Sequence, residues 1–281
     1  MIGNVFRAII RKVYRHLLPQ EAKNSLHVWT MFDIPDRPPD VINTFADSRV
    51  LVLAPHMDDE VVGCGGTLRL HALAGAKITV LFLTDGRSSD PGLVEQCQSE
   101  AELRTAEADL SALRKQESRD AAQILGYDDL LFLDRPDGAL TVDQALIHQL
   151  AEVIEQRQPQ IIYFPCALEL HPDHWAASKL LALLVEARLS PALTAACCRA
   201  YEAWTPLPAN RLVDISDVFD TKLEALRMFT SQLKHVDYLR TTTGLNAYRA
   251  MTRDGQGYWE AYYEVTAAQH AELVRRIAQA R

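Results

Sequence analysis

Two short apolar runs, residues 50–54 (VLVLA) and 78–83 (ITVLFL), constrain this chain more than any other feature. Each has the length of a strand buried on both faces, and the stretch between them, 65–74, reads as a helix. Strand, helix, strand spacing makes the two strands parallel, because a helical crossover returns the chain to the same end of the sheet. The alternation continues. Residues 100–125 are rich in Ala, Leu, Glu and Arg and stop at Gly126, which predicts a long helix with a glycine stop. Strands are expected at 130–133, 161–164 and 197–201, and helices at 142–156, 176–188 and 222–230. There is no internal repeat, low-complexity segment or clear linker, so the expected fold is a single α/β domain spanning 47–265, a Rossmann-like, doubly wound, mostly parallel sheet flanked by helices.

Composition narrows the function classes. A chain of 281 residues that is 48% hydrophobic can bury a core of that size. Its formal net charge of −8, with no long basic run, speaks against a nucleic-acid partner. The five cysteines are odd in number and show no CxxC spacing, which fits reduced thiols in a cytoplasmic protein. No run of 18 apolar residues suits a membrane span, and basic residues break up the N-terminal apolar ones, unlike a secretory signal. Residues 1–20 form a predicted amphipathic helix with Arg7, Arg11, Lys12 and Arg15 on one side and Ile2, Phe6, Ile9, Val13 and Leu17 on the other. Two readings of it stay open: peripheral contact with an anionic membrane at its inner face, or packing on its own domain. Oligomeric state is not legible.

Open α/β sheets gather ligands at the carboxyl ends of their strands. Both polar clusters of this sequence fall there. The first, His56-Met57-Asp58-Asp59-Glu60, follows the 50–54 strand directly and leads into Gly63, Gly65 and Gly66. One imidazole and three consecutive carboxylates beside a buried strand are costly to desolvate unless they share a cation. The second, His171-Pro172-Asp173-His174, follows the 161–164 strand and precedes a helix. Two imidazoles around a carboxylate suit a zinc site that keeps one position open for water.

Together these clusters resemble the LmbE-like and PIG-L-like zinc deacetylases. The resemblance is carried by Ala54-Pro55-His56-Met57-Asp58-Asp59-Glu60 through Gly63-Cys64-Gly65-Gly66-Thr67, and by His171-Pro172-Asp173-His174. Lesser matches are Arg114 with Glu117, Arg135-Pro136-Asp137-Gly138, and Lys222 with Ser231-Gln232. One position departs from the pattern, Met57 standing where the family usually has proline. The resemblance implies removal of an N-acetyl group from an N-acetylglucosamine-type amino sugar in a glycoconjugate, lipid-linked saccharide or related precursor. It implies His56, Asp59 and His174 as ligands of Zn²⁺, or of another divalent transition metal. It makes Asp58 the general base, His171 in its charged form the stabiliser of the oxyanion, and Asp173 the carboxylate that orients His171 and favours its protonation. It puts Arg114 and Asp137 at the rim, gripping the sugar.

Other polar residues read as structural. Glu60 suits a helix cap and Cys64 suits core packing, while His71 and His270 stand without partners at ligand spacing. Tyr258, Trp259, Tyr262 and Tyr263 read as packing near the C-terminus. Two competing functions are a metal hydrolase of another amide or ester, and a sugar-binding relative without turnover.

Overall fold

The computed structural model describes Pro19, residues 37–45 and residues 48–280. Apart from Pro19, the expected helix over 1–20 lies outside the described residues. Eight strands, β1 (Asp40–Val41), β2 (Arg49–Ala54), β3 (Lys77–Thr84), β4 (Asp129–Arg135), β5 (Ile161–Pro165), β6 (Cys197–Tyr201), β7 (Arg211–Asp214) and β8 (Trp259–Val265), form one sheet. Their order is β1-β7-β8-β6-β5-β2-β3-β4. All neighbours pair in parallel except β8, which runs antiparallel to β6 and β7. The helices are α1 (Asp59–Leu73), α2 (Leu93–Gln96), α3 (Glu100–Leu125), α4 (Gln144–Arg157), α5 (Pro172–Ala187), α6 (Pro191–Ala195), α7 (Phe219–Leu226), α8 (Thr230–Leu233), α9 (Tyr238–Arg249) and α10 (Ala267–Ala280).

The two-residue period of the strands divides the core between the faces of the sheet. Leu51, Leu53, Leu81, Leu83, Ile162 and Phe164 share one apolar cluster with buried residues of α4, α5 and α10. Val50, Val52, Ala54, Val80, Phe82 and Tyr163 share the other with α1, α3 and α7. The doubly wound expectation therefore holds. From β2 the chain crosses by α1 to β3 on one side, while β5 pairs with β2 on the other. The order reverses between β2 and β5, and the crevice this opens at their carboxyl ends is where such sheets bind ligands.

Local signals explain the best-read element. Ser99 caps α3 by accepting from Glu102 N, and Gly126 ends it in the left-handed region at φ 93°. Two helices begin earlier than their apolar periodicity suggests. α1 starts at Asp59 rather than 65, with Asp59 and Glu60 in its first turn, and α5 starts at Pro172 rather than 176. In each case the polar motif itself is the first turn of the helix. The expected 222–230 helix is instead α7, ending at Leu226, followed by the separate turn of α8. Strands β7 and β8 were not legible from spacing.

A buried ion pair fastens α1 to the antiparallel end of the sheet. Lys222 Nζ, fully buried, lies 2.7 Å from Glu260 Oε1 and also donates to Val62 O and Asn246 Oδ1. Glu260 in turn accepts from Gly66 N and Thr67 N on α1 at 2.9 and 2.8 Å. Gly63 lets α1 approach closely, because a Cβ there would overlap the ring of Tyr201. No helix among the described residues is long and apolar enough to cross a membrane.

Candidate metal centre and active site

The loop after β2 is pinned where Pro55 O accepts from Thr84 N at 3.0 Å and Thr84 Oγ1 at 2.8 Å. His56 follows. Its backbone N–H donates to Asp59 Oδ2 at 2.9 Å, and its Nδ1 lies 3.1 Å from the same oxygen. On its other side, His56 Nε2 lies 3.1 Å from Asp137 Oδ1 and 3.2 Å from Asp173 Oδ2. Asp58 sits at the turn into α1 with φ 152°, ψ −27°, a conformation an L-residue rarely adopts. Glu60 Oε2 holds that strained unit by accepting from Asp58 N at 3.1 Å. Backbone strain of this kind is retained where the surroundings over-determine it, commonly at functional sites.

The loop after β5 supplies the second half. His171 is the N-cap of α5, and its Nδ1 accepts from Asp173 N at 3.2 Å, leaving the neutral ring's proton on Nε2. His174 is fully buried, with Nε2 3.2 Å from Asp59 Oδ2. A single oxygen of Asp59 thus faces both His56 and His174. The expected contact between the Asp173 carboxylate and the His171 ring is not what the structure shows. Asp173 Oδ2 accepts from Gly138 N at 2.7 Å and Oδ1 from Leu140 N at 2.9 Å, so this carboxylate clamps the loop after β4 and faces His56.

Arg114 and Asp137 were expected at the rim. Arg114 is 2% exposed, donates to Met57 O at 2.7 Å and lies 3.3 Å from Asp58 Oδ2, so the structure places it beneath Asp58. Asp137 accepts from Ser88 N through Oδ2 and turns Oδ1 to His56.

Three further residues touch the cluster and carried no readable signal. Glu169 is fully buried, accepts from Ala203 N, Trp204 N and Thr205 N, and lies 3.4 Å from His174 Nδ1. Tyr238, at the start of α9, lies close enough to the Asp58 carboxylate for its charge to raise the phenol's pKa. The Trp204 ring meets His171 edge-on at 5.2 Å. A lone acid in Leu168-Glu169-Leu170, and aromatics far along the chain, have no spacing to betray them. Only the topology brings them here.

Electrostatics mark the cluster as short of positive charge. Burial pushes the Asp58 carboxyl up to about 7, with Arg114 opposing the rise and the neighbouring Asp59 adding to it. Burial likewise drives Glu60 well above the carboxylate range. Burial opposes charge on His56 too, but Asp137, Asp173 and Asp59 around it outweigh that and raise it well above the ordinary imidazole value. A divalent cation would take the place of that proton, since ligating imidazoles are neutral. The donor set fits one. Nitrogen and oxygen ligand atoms of His56, His171 and His174, and of His56, Asp137 and Asp173, lie within 4.8 Å of one another in each group, while Asp59, outside both groups, sets Oδ2 3.1 Å from His56 Nδ1 and 3.2 Å from His174 Nε2. Neither ring nitrogen of the buried His174 is in hydrogen-bonding geometry, though carboxylates lie beside both. With Glu169 beside Nδ1, Nε2 is left to present its lone pair to a metal, the usual arrangement of a carboxylate behind a ligating histidine.

Comparison with known proteins now bears on the site. Residues 51–185 match the family described as PIG-L, GlcNAc-PI de-N-acetylase. A diacetylchitobiose deacetylase from Thermococcus kodakarensis is 30% identical over 196 residues, covering 66% of this chain and 70% of that protein. The chain belongs to the PIG-L family. A probable N-acetyl-α-D-glucosaminyl L-malate deacetylase 2 from Bacillus cereus is also 30% identical, over 66% of this chain and 84% of its own length. Among solved structures, the N,N'-diacetylchitobiose deacetylase of Pyrococcus horikoshii superposes with a TM-score of 0.64 at 22% identity, covering 93% of both chains. The 4-carboxy-2-hydroxymuconate hydratase of Pseudomonas putida KT2440 reaches the same TM-score, 0.64, at 23% identity, over 77% of this chain and 95% of its own. PIG-L-like architecture alone therefore does not select a chemistry, and the side chains of the crevice must.

Proposed function

We propose that this PIG-L family member is a zinc-dependent hydrolase that removes an N-acetyl group from an amino sugar, with His56, Asp59 and His174 as ligands and Asp58 as general base. The observation that carries the reading is the single Asp59 oxygen 3.1 Å from His56 Nδ1 and 3.2 Å from His174 Nε2, with the Arg114-paired Asp58 next to it. The names of the relatives support the substrate class, since those proteins are deacetylases of diacetylchitobiose and of a glucosaminyl malate.

A divalent cation in this site supplies Lewis acidity and brings the pKa of a bound water towards neutrality. Asp58 accepts the proton of the attacking water and returns it to the leaving amine nitrogen. Arg114 pairs with the Asp58 carboxylate, and Tyr238 lies beside it. His171, neutral with its proton on Nε2, donates to the carbonyl oxygen as negative charge develops there. Burial lowers the His171 ring from its ordinary pKa, which favours that neutral donor over the charged form the resemblance implies. Asp137 and Asp173 hold His56 through Nε2.

The test is incubation of the zinc-loaded protein with N-acetylated amino sugars, scoring acetate and primary amine together. Equal amounts of both support the reading. Loss of the acetyl-bearing compound without a new amine, or no acetate from any amino sugar, refutes it.

A further inference from the structure

A cleft of about 440 Å³ adjoins the crevice and is lined mainly by apolar side chains, among them Trp204, Pro206, Val236, Tyr238 and Leu245. None of its lining residues carries a charge. Two of its lining residues neighbour the catalytic cluster. Trp204 meets His171 edge-on at 5.2 Å, and Tyr238 lies close enough to Asp58 for that carboxylate to raise its hydroxyl's pKa. Trp204 is 55% and Val236 39% exposed, so large apolar surface stands open beside the reacting groups. Three of its lining residues carry hydroxyls, Tyr238, Thr241 and Thr242, and that of Thr242, 3% exposed, has no hydrogen-bond partner among the described residues.

We infer that this cleft is an aglycone subsite for a neutral hydrocarbon group, alkyl or aromatic, carried on the anomeric carbon of the amino sugar. The inference rests on the deacetylase reading. In a 2-acetamido sugar the amide carbon substituent and the anomeric substituent occupy neighbouring ring carbons. A pocket for the second can therefore lie beside the residues that work on the first, as this one lies beside His171 and Asp58. An anionic or polyhydroxylated acceptor would lose water here without finding a cation or a set of donors. A hydrocarbon gains by burial.

The experiment uses the full-length zinc-loaded protein and the methyl, butyl and hexyl β-glycosides of N-acetylglucosamine, with a carboxylate-ended hexyl analogue. The expected kcat/KM for acetate release rises about fourfold per methylene, the gain from burying each CH₂. The carboxylate-ended analogue loses most of that gain. Val236→Asp flattens the series, and because the readout is the hexyl-to-methyl ratio, it does not depend on how much variant folds. Binding of the same glycosides is measured by calorimetry in parallel. A chain-length gain in binding without acetate release keeps the subsite and overturns the deacetylase reading. Acetate release with a flat series overturns the subsite, and if Val236→Asp then also separates a dimer into monomers, the cleft belongs to a second copy of the chain. No acetate release together with no chain-length gain in binding overturns both.

Discussion

Replacing Glu169 by glutamine isolates one buried carboxylate that the catalytic step never touches. Its oxygens accept from Ala203 N at 2.8 Å, Trp204 N at 3.1 Å and Thr205 N at 3.3 Å, and one lies 3.4 Å from His174 Nδ1. Glutamine keeps the volume and one carbonyl acceptor but loses the charge. Charge-assisted hydrogen bonds are worth about 1 kcal/mol more than neutral ones, so three weakened bonds cost about 2 to 3 kcal/mol of stability. The second effect falls on the metal. Removing a carboxylate behind a ligating histidine typically weakens metal binding about 10- to 100-fold, or about 1.4 to 2.8 kcal/mol. Zinc affinity is read by competition with a chromogenic chelator, on folded protein well below its melting temperature. Lys222→Met serves as the control, because it also destabilises the fold, but Lys222 hydrogen-bonds none of the proposed ligands, its partners being Val62 O, Asn246 and Glu260. Weakened zinc binding in Glu169→Gln but not in Lys222→Met is expected. Unchanged zinc affinity in Glu169→Gln would show that this carboxylate only props residues 203–205, and the argument for His174 as an oriented ligand would fail.

Asp58→Asn should keep zinc and fold, since asparagine matches aspartate in size and shape, while kcat falls about 10²- to 10⁴-fold, measured with metal content on the same sample. Lys222→Met strands the Glu260 carboxylate in the core and should cost about 3 to 5 kcal/mol, a fall in melting temperature of order 10 °C. Acid should weaken the fold through two buried histidines, His71 and His270, each lowered by burial from 6.5 to about 4. Between those values the unfolded chain binds protons that the folded one refuses, so stability is full above pH 6.5 and lost as pH falls towards 4, by about 3 kcal/mol per histidine. Denaturant titrations at pH 7 and pH 4.5 check this, and a His71→Gln, His270→Gln double variant should show a flatter profile.

The parallel half of the sheet was legible because each buried strand is a continuous apolar run, and the clusters stood out because ionisable residues interrupt such runs at their carboxyl ends. His56, Asp58, Asp59, His171 and His174 were found for that reason, and the structure brings them together. What sequence spacing hid follows from long-range packing. Glu260 in β8 is explained only by Lys222, which reaches it from α7. Strand β8 alternates too weakly to read, because both of its faces are buried: Trp259 to Tyr263 are all inside. The starts of α1 and α5 did carry signals. Pro172 stands at the first helical position behind an N-cap histidine, and the acids Asp59 and Glu60 occupy a first helical turn, both ordinary helix-start features. Arg114 and Asp173 were found as residues, but their partners were not, since which groups a buried arginine or carboxylate meets depends on the register of distant loops.

The most direct test of metal-dependent deacetylation is a zinc titration of the metal-free protein, with acetate release from an N-acetylglucosamine glycoside followed against zinc added per chain. Activity should rise linearly and break at one equivalent, and His174→Ala should abolish the tight phase. Full activity in the metal-free protein, or acetate release that does not track bound metal, would contradict the assignment of His56, Asp59 and His174.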